Sequence, residues 1–353
     1  MSDGAIRAAV IGYGLAGAVF HAPVIASVPG MEVAAIVARD PGRRGQAARD
    51  FPAAALLERV DEVWERADAF DLVVVATPNR AHVPIGLAAV AAGLPVVVDK
   101  PLAGTAGAAR RLVEAAAAAG VLLTVFQNRR YDGDFLTLRG LLASGALGWV
   151  RRFESRYERW RPDVGGGWRE LAEPEEGGGV LLDLGSHLVD QALLLFGPAD
   201  AVYAEVDTRR PAARVDDDVF VAIAHASGVR SHLWMSLTAA SLGPRMRVLA
   251  EDAAYVKYGL DVQEDALVAG VRPGDPGWGA EPQEAWGVLD VGGRTTPVPT
   301  EPGAYERFYE GVRDAVRGAG PAPVDPADAV AALEVIEAAR VSSAERRVVV
   351  LSA

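Results

Sequence analysis

Three glycines, one lysine and an Asp–His pair are the residues of this sequence whose types and spacing could do chemistry. Gly12-Tyr13-Gly14-Leu15-Ala16-Gly17 follows an apolar run, Arg7–Ile11, and precedes another apolar stretch suited to a helix. In that strand-to-helix setting the spacing is that of a dinucleotide site: glycines permit the tight turn and let backbone N–H groups approach a pyrophosphate at the helix N-terminus. Asp183 and His187 stand four apart at the start of a helix expected to end near Gly197, which puts both on one face. An alcohol that loses hydride must also lose its hydroxyl proton, and imidazole, with a reference pKa of about 6.5, exchanges protons near neutrality. Lys100 follows a strand, at the edge where the ligand crevice of an open α/β sheet lies. Two ligands are too few for a metal centre, so no metal is expected.

The end of the second strand bears on cofactor choice, because an Asp or Glu there would bind the ribose 2′-OH of NAD. This chain has Ala38 instead, then Arg39, an Asp40-Pro41 helix start, and Arg43 and Arg44. That local charge suits a 2′-phosphate, so NADP is expected, with NAD the alternative if Asp40 reaches the ribose.

Positioning these groups requires βαβ units. Nearly continuous apolar runs at Arg7–Ile11, Val33–Val37, Leu72–Ala76, Pro95–Val98 and Leu122–Phe126 read as strands of a parallel sheet covered by helices on both faces. Between them, Thr105 caps an Ala-rich helix that Gly120 closes. After about residue 127 the period changes to two, at Val150–Glu158, Val202–Asp207, Val219–Ala226 and Val229–Leu237, which predicts a mostly antiparallel sheet. Residues 270–303, rich in Gly and Pro, are expected to be loops, and helices are expected at Ala304–Arg317 and Pro326–Ser343. The chain thus reads as α/β: an N-terminal Rossmann domain with a parallel sheet, 1–127, and a C-terminal α/β domain with a large open sheet for substrate binding and oligomerisation, 128–353.

Composition narrows the function classes. With 353 residues, half of them apolar, the chain can bury a large core. The balance of 47 acidic against 35 basic residues, a net charge of −12, argues against a nucleic-acid partner. The absence of cysteine removes disulfides, thiolate nucleophiles and iron–sulfur clusters. No leader segment is visible and no apolar run approaches the roughly 20 residues that span a bilayer, so a cytoplasmic protein without a membrane partner is expected.

Taken together, Gly12-Tyr-Gly14-Leu-Ala-Gly17, Ala76-Thr77-Pro78-Asn79-Arg-Ala-His82, Asp99-Lys100-Pro101 and the Gly177–His187 segment resemble the glucose–fructose oxidoreductase/inositol dehydrogenase/rhizopine catabolism family. The Gly14–Pro23 segment is most similar to its NADP-dependent scyllo-inositol dehydrogenase branch. The resemblance implies hydride transfer between a nicotinamide cofactor and a sugar, cyclitol or related polyol. It assigns Lys100 to the nicotinamide ribose and the reacting oxygen, His187 to acid/base work and Asp183 to a substrate hydroxyl. The family's usual Glu-Lys-Pro is here Asp-Lys-Pro, one methylene shorter. His82 is expected to shape the loop under the cofactor, while His21, His225 and His232 are expected to be packed or surface histidines. Trp160, Arg161 and Trp168 are candidate substrate contacts, because indoles suit the C–H face of a ring polyol and guanidiniums its hydroxyls. An uncovered sheet face would favour a homodimer or homotetramer. The competing reading is a nicotinamide-binding regulator that has lost catalysis.

Overall fold

The computed structural model describes residues 4–165 and 177–351. The first apolar runs form β1 (Ile6–Ile11), β2 (Met31–Val37), β3 (Ala55–Leu57), β4 (Leu72–Val75), β5 (Val96–Asp99) and β6 (Leu123–Phe126). They make a parallel sheet in the order β3-β2-β1-β4-β5-β6. This is the doubly wound order, and its crevice opens where the order reverses, between β1 and β4. The sequence pattern missed β3, a three-residue edge strand too short to show a period. Thr105 caps the Ala106–Ala119 helix by accepting from Ala108 N, and Gly120 ends it with φ of 65°.

The second sheet holds β7 (Val150–Glu158), β8 (Ala199–Asp207), β9 (Asp218–His225), β10 (Arg230–Ser236), β11 (Met246–Ala250), β12 (Ala254–Lys257), β13 (Gly287–Val291), β14 (Arg294–Val298) and β15 (Val349–Val350). Its order is β14-β13-β12-β11-β7-β10-β9-β8-β15, antiparallel except for the β7–β10 pair. The expectation that 270–303 is all loop is therefore corrected. β13 and β14 form a hairpin around Gly292-Gly293, both with positive φ, the geometry a two-residue hairpin turn demands.

Alternation in β9 buries Val219, Val221 and Ile223 on one side. Helix Gly185–Phe196 packs on β7 and β10, and helix Pro326–Glu345 on β8. Asp325 caps the latter, accepting from Ala327 N. The opposite face is half-exposed among the described residues. There Phe220 and Trp234 lie 5.1 Å apart, and the Arg156 guanidinium sits 3.9 Å from the Trp234 ring. Among the described residues no helix is long and apolar enough to cross a membrane.

Candidate active site

The glycine turn is built by close approach of backbone. A Cβ on Gly12, whose φ is +102°, would stand 2.4 Å from the Ala76 carbonyl oxygen, and one on Gly17 would stand 2.0 Å from that of Gly12. Both positions are closed to any side chain by the fold itself. Gly14 differs: the nearest atom to its Cβ would be an Arg43 guanidinium nitrogen at 3.5 Å, an ordinary contact. The space over Gly14 is thus open to a ligand, with Leu15 exposed beside it, and a turn of this kind could hold a pyrophosphate. The chain then makes one π-helical turn, Ala16–His21, before a short α-helix, Ala22–Ser27.

Beyond β2, Ala38 is buried and Arg39 is exposed. The Asp40 carboxylate accepts from Arg43 N at 2.8 Å and so caps helix Pro41–Asp50. Arg44 pairs with Glu58. Arg39 and Arg43 have no carboxylate partner among the described residues, and Arg43 reaches back over the glycine turn.

The loops after β4 and β5 are tied by one buried histidine. His82 places Nδ1 2.8 Å from the Pro101 carbonyl and Nε2 2.8 Å from that of Thr77, joining the Ala76-Thr77-Pro78-Asn79 loop to the Asp99-Lys100-Pro101 loop. Burial pushes its pKa below the usual value, against the pull of Asp99. Asn79 donates to the Gly177 carbonyl at 3.1 Å, linking this loop to the segment that leads to Asp183.

A cavity of about 240 Å³ opens beside the turn, and Leu15, Ala16, Asp99, Lys100, Asp183 and His187 all line it. Lys100 Nζ donates to both the backbone oxygen and Oδ1 of Asp183, each at 2.8 Å. The helix carrying the pair is not continuous: it runs Val180–Asp183, turns at Leu184, and resumes as Gly185–Phe196. The offset does not separate Asp183 from His187 in the cavity. His187 is 5% exposed. Burial and the neighbouring cations Lys100, Arg129 and Arg245 hold its pKa well below the usual value, so its imidazole is neutral at pH 7 and carries a lone pair.

Of the substrate candidates, Arg161 lines the cavity and Trp160 does not. Trp160 is 57% exposed, because on an extended segment it faces away from both Arg159 and Arg161. Trp168 lies outside the described residues.

Arg129 went unnoticed in the sequence, and His21 is read there only as a packed or surface histidine. Arg129, buried just after β6, donates to the Tyr305 hydroxyl at 2.9 Å and pairs with Glu264. A polar run directly after a strand, Gln127-Asn-Arg-Arg, was the signal for it, the same one that marked Lys100. His21 is completely buried; its Nδ1 is 2.5 Å from the Tyr309 hydroxyl and its Nε2 3.6 Å from Asp99 Oδ1. His225, held by the Gly197 carbonyl and Ser231, and His232, on the open face, are packed and surface histidines as expected.

Residues 6–127 match a family described as an oxidoreductase family with an NAD-binding Rossmann fold, and 135–256 match the Gfo/Idh/MocA C-terminal domain. Among curated proteins, scyllo-inositol 2-dehydrogenase (NADP⁺) of Bacillus subtilis is 35% identical over 98% of this chain and 96% of its own. An uncharacterised oxidoreductase of Escherichia coli is 40% identical over 96% of both. A solved structure from Bacillus subtilis superposes with a TM-score of 0.95 at 34% identity, covering 100% of each chain.

Proposed function

This chain belongs to the Gfo/Idh/MocA oxidoreductase family, and from that premise we propose that it moves a hydride between NADP(H) and a secondary alcohol or ketone of a sugar, cyclitol or related polyol. The observation that carries the reading is the convergence of Lys100, Asp183 and His187 in one cavity beside the glycine turn. The nicotinamide, when bound, supplies the two-electron acceptor or donor.

The rest of the chemistry falls to side chains. The Lys100 ammonium, aimed by Asp183, polarises the substrate oxygen and stabilises the charge that grows on it. His187 takes the hydroxyl proton during oxidation and returns it during reduction. Asp183 keeps acceptor capacity for a neighbouring hydroxyl, and Arg161 adds a donor at the cavity wall. Gly12, Gly14, Leu15, Ala16 and Gly17 would hold the pyrophosphate, and the Ala76–Asn79 and Asp99–Pro101 loops the nicotinamide end. Ala38, Arg39 and Arg43 receive the 2′-phosphate, a reading supported by the committed cap role of Asp40 and by the NADP⁺ in the name of the Bacillus relative.

In this reading residues 1–127 bind the dinucleotide and 128–353 bind substrate in a cytoplasmic homodimer or homotetramer joined through the half-exposed sheet face. The deciding experiment is a panel of cyclitols, aldoses and their keto forms with NADP(H) and NAD(H), followed by absorbance of the reduced nicotinamide. Turnover of at least one polyol pair with NADP(H) is expected; a panel with no turnover by a protein that binds NADP would overturn the reading.

A further inference from the structure

His21 stands apart from the catalytic trio, yet its surroundings are built for a charge. Its ring is fully buried, 4.3 Å from the Phe126 ring centroid, and makes two polar approaches: the Tyr309 hydroxyl at 2.5 Å from Nδ1 and Asp99 Oδ1 at 3.6 Å from Nε2. The geometry fixes the tautomer. A lone pair on Nε2 would face a carboxylate, so Nε2 carries the hydrogen, Nδ1 accepts, and the Tyr309 hydroxyl donates. Burial holds the Tyr309 phenol well above its usual pKa, so the donor keeps its proton.

The Asp99 oxygen that His21 Nε2 faces at 3.6 Å also accepts the Lys100 backbone N–H at 2.9 Å, and Asp99 lines the cavity. We propose that His21, locked by Tyr309, is a positioning residue that holds the Asp99 carboxylate toward the nicotinamide end of the cavity, so that the site favours the cationic, oxidised ring over the neutral, reduced one. This rests on the hydride-transfer reading above. It also accounts for an Asp where the resemblance leads one to expect Glu: His21 reaches toward the shorter side chain from behind.

The groups facing Asp99 are His21 and, behind it, Tyr309; His82 from the helix after β4; and Lys100, itself paired with Asp183. Burial pushes the Asp99 carboxyl up, and His21, Lys100 and His82 outweigh that push, leaving it below the ordinary value. Removing the His21 N–H therefore raises the Asp99 pKa and neutralises the carboxylate at a higher pH.

The test needs no substrate. Dissociation constants for NADP⁺ and NADPH are measured by titration calorimetry from pH 6 to 8, and their ratio is taken so that titration of the shared 2′-phosphate cancels. Asp99→Asn should lower the preference for NADP⁺ about tenfold at every pH, the size expected of one nearby charge in a partly screened site. His21→Phe should move the ratio toward the Asn value, and further at pH 6 than at pH 8. Tyr309→Phe, which removes a single oxygen and leaves the packing ring, should move the same way by a smaller step. His21→Gln, which restores an N–H donor, should return toward the parent. A merely structural role for His21 would weaken both nucleotides equally and leave the ratio flat. A ratio unchanged in folded His21→Phe and Tyr309→Phe overturns the assignment alone; a parent protein that binds neither nucleotide overturns it together with the hydride-transfer reading.

Discussion

Substitution of Gly14 separates a glycine required by a ligand from glycines required by the fold. At Gly12 and Gly17 an added Cβ would lie 2.4 and 2.0 Å from carbonyl oxygens, against a contact limit near 3.0 Å, so Ala at either site must displace backbone by roughly 0.6 and 1.0 Å. Overpacking of that kind costs about 1–3 kcal/mol, and any lost affinity would be confounded with lost stability. For Gly14→Val the Cβ itself meets no such conflict, since it lies 3.5 Å from the end of Arg43 and φ is not in the left-handed region. The variant should unfold within about 0.5 kcal/mol of the parent, as a surface change does. A branched side chain there fills the space over the turn and denies a phosphate one or two charge-assisted N–H bonds. At about 1.5 kcal/mol or more each, the loss is about 3 kcal/mol, or roughly a 150-fold weaker NADP Kd. Calorimetric titration beside thermal melting reads both quantities. A Gly14→Val protein with parental melting and a Kd within threefold of parental would show that no pyrophosphate crosses this turn.

Three more expectations follow from the same geometry. Arg43→Ser should weaken NADP about tenfold and leave NAD within twofold, because only the 2′-phosphate needs the guanidinium; equal losses for both would place Arg43 elsewhere. His187→Ala and Lys100→Ala should each lower kcat by about 10²–10⁴-fold with NADP affinity within several-fold, and steady-state kinetics showing a near-parental His187→Ala rate would remove the acid/base role. Stability should fall on acidification below pH 6.5: unfolded histidines then take protons that buried His187 refuses, which costs up to about 1.4 kcal/mol per pH unit for that residue. Buried Asp132, Asp190 and Asp261, whose pKa values burial raises, act with the opposite sign at lower pH. The histidine share is accordingly read as the difference in denaturant-unfolding slope between parent and His187→Gln from pH 7.5 to 5.5; identical slopes would contradict it.

Local pattern carried most of the parallel sheet, because buried strands are apolar throughout and their breaks coincide with turns. It failed where pattern is short or dilute, at the three residues of β3 and at the exposed β13–β14 hairpin, although Gly292-Gly293 marked that turn plainly. Of the site, the residues named from local motifs, Lys100, Asp183 and His187, do line one cavity. Those that depend on distant partners were not legible. His21 looked like any packed histidine, since Tyr309 lies 288 positions away, and Trp160 was grouped with Arg161 by adjacency although strand alternation sends neighbours to opposite sides.

The distance between His21 and Tyr309 also sets an order of events during synthesis. Thr124, in the last strand of the parallel sheet, exchanges hydrogen bonds with the backbone of Val324, and Arg317 donates to the Gly30 carbonyl. The ribosome adds about 5–20 residues per second, so the 182 positions from 127 to 309 take about 10–40 s. For that interval the glycine turn and Lys100 have been synthesised, but the hydroxyl that pairs with His21 has not. The His21–Tyr309 pair therefore forms only after the helix that carries Tyr309 has left the exit tunnel and docked.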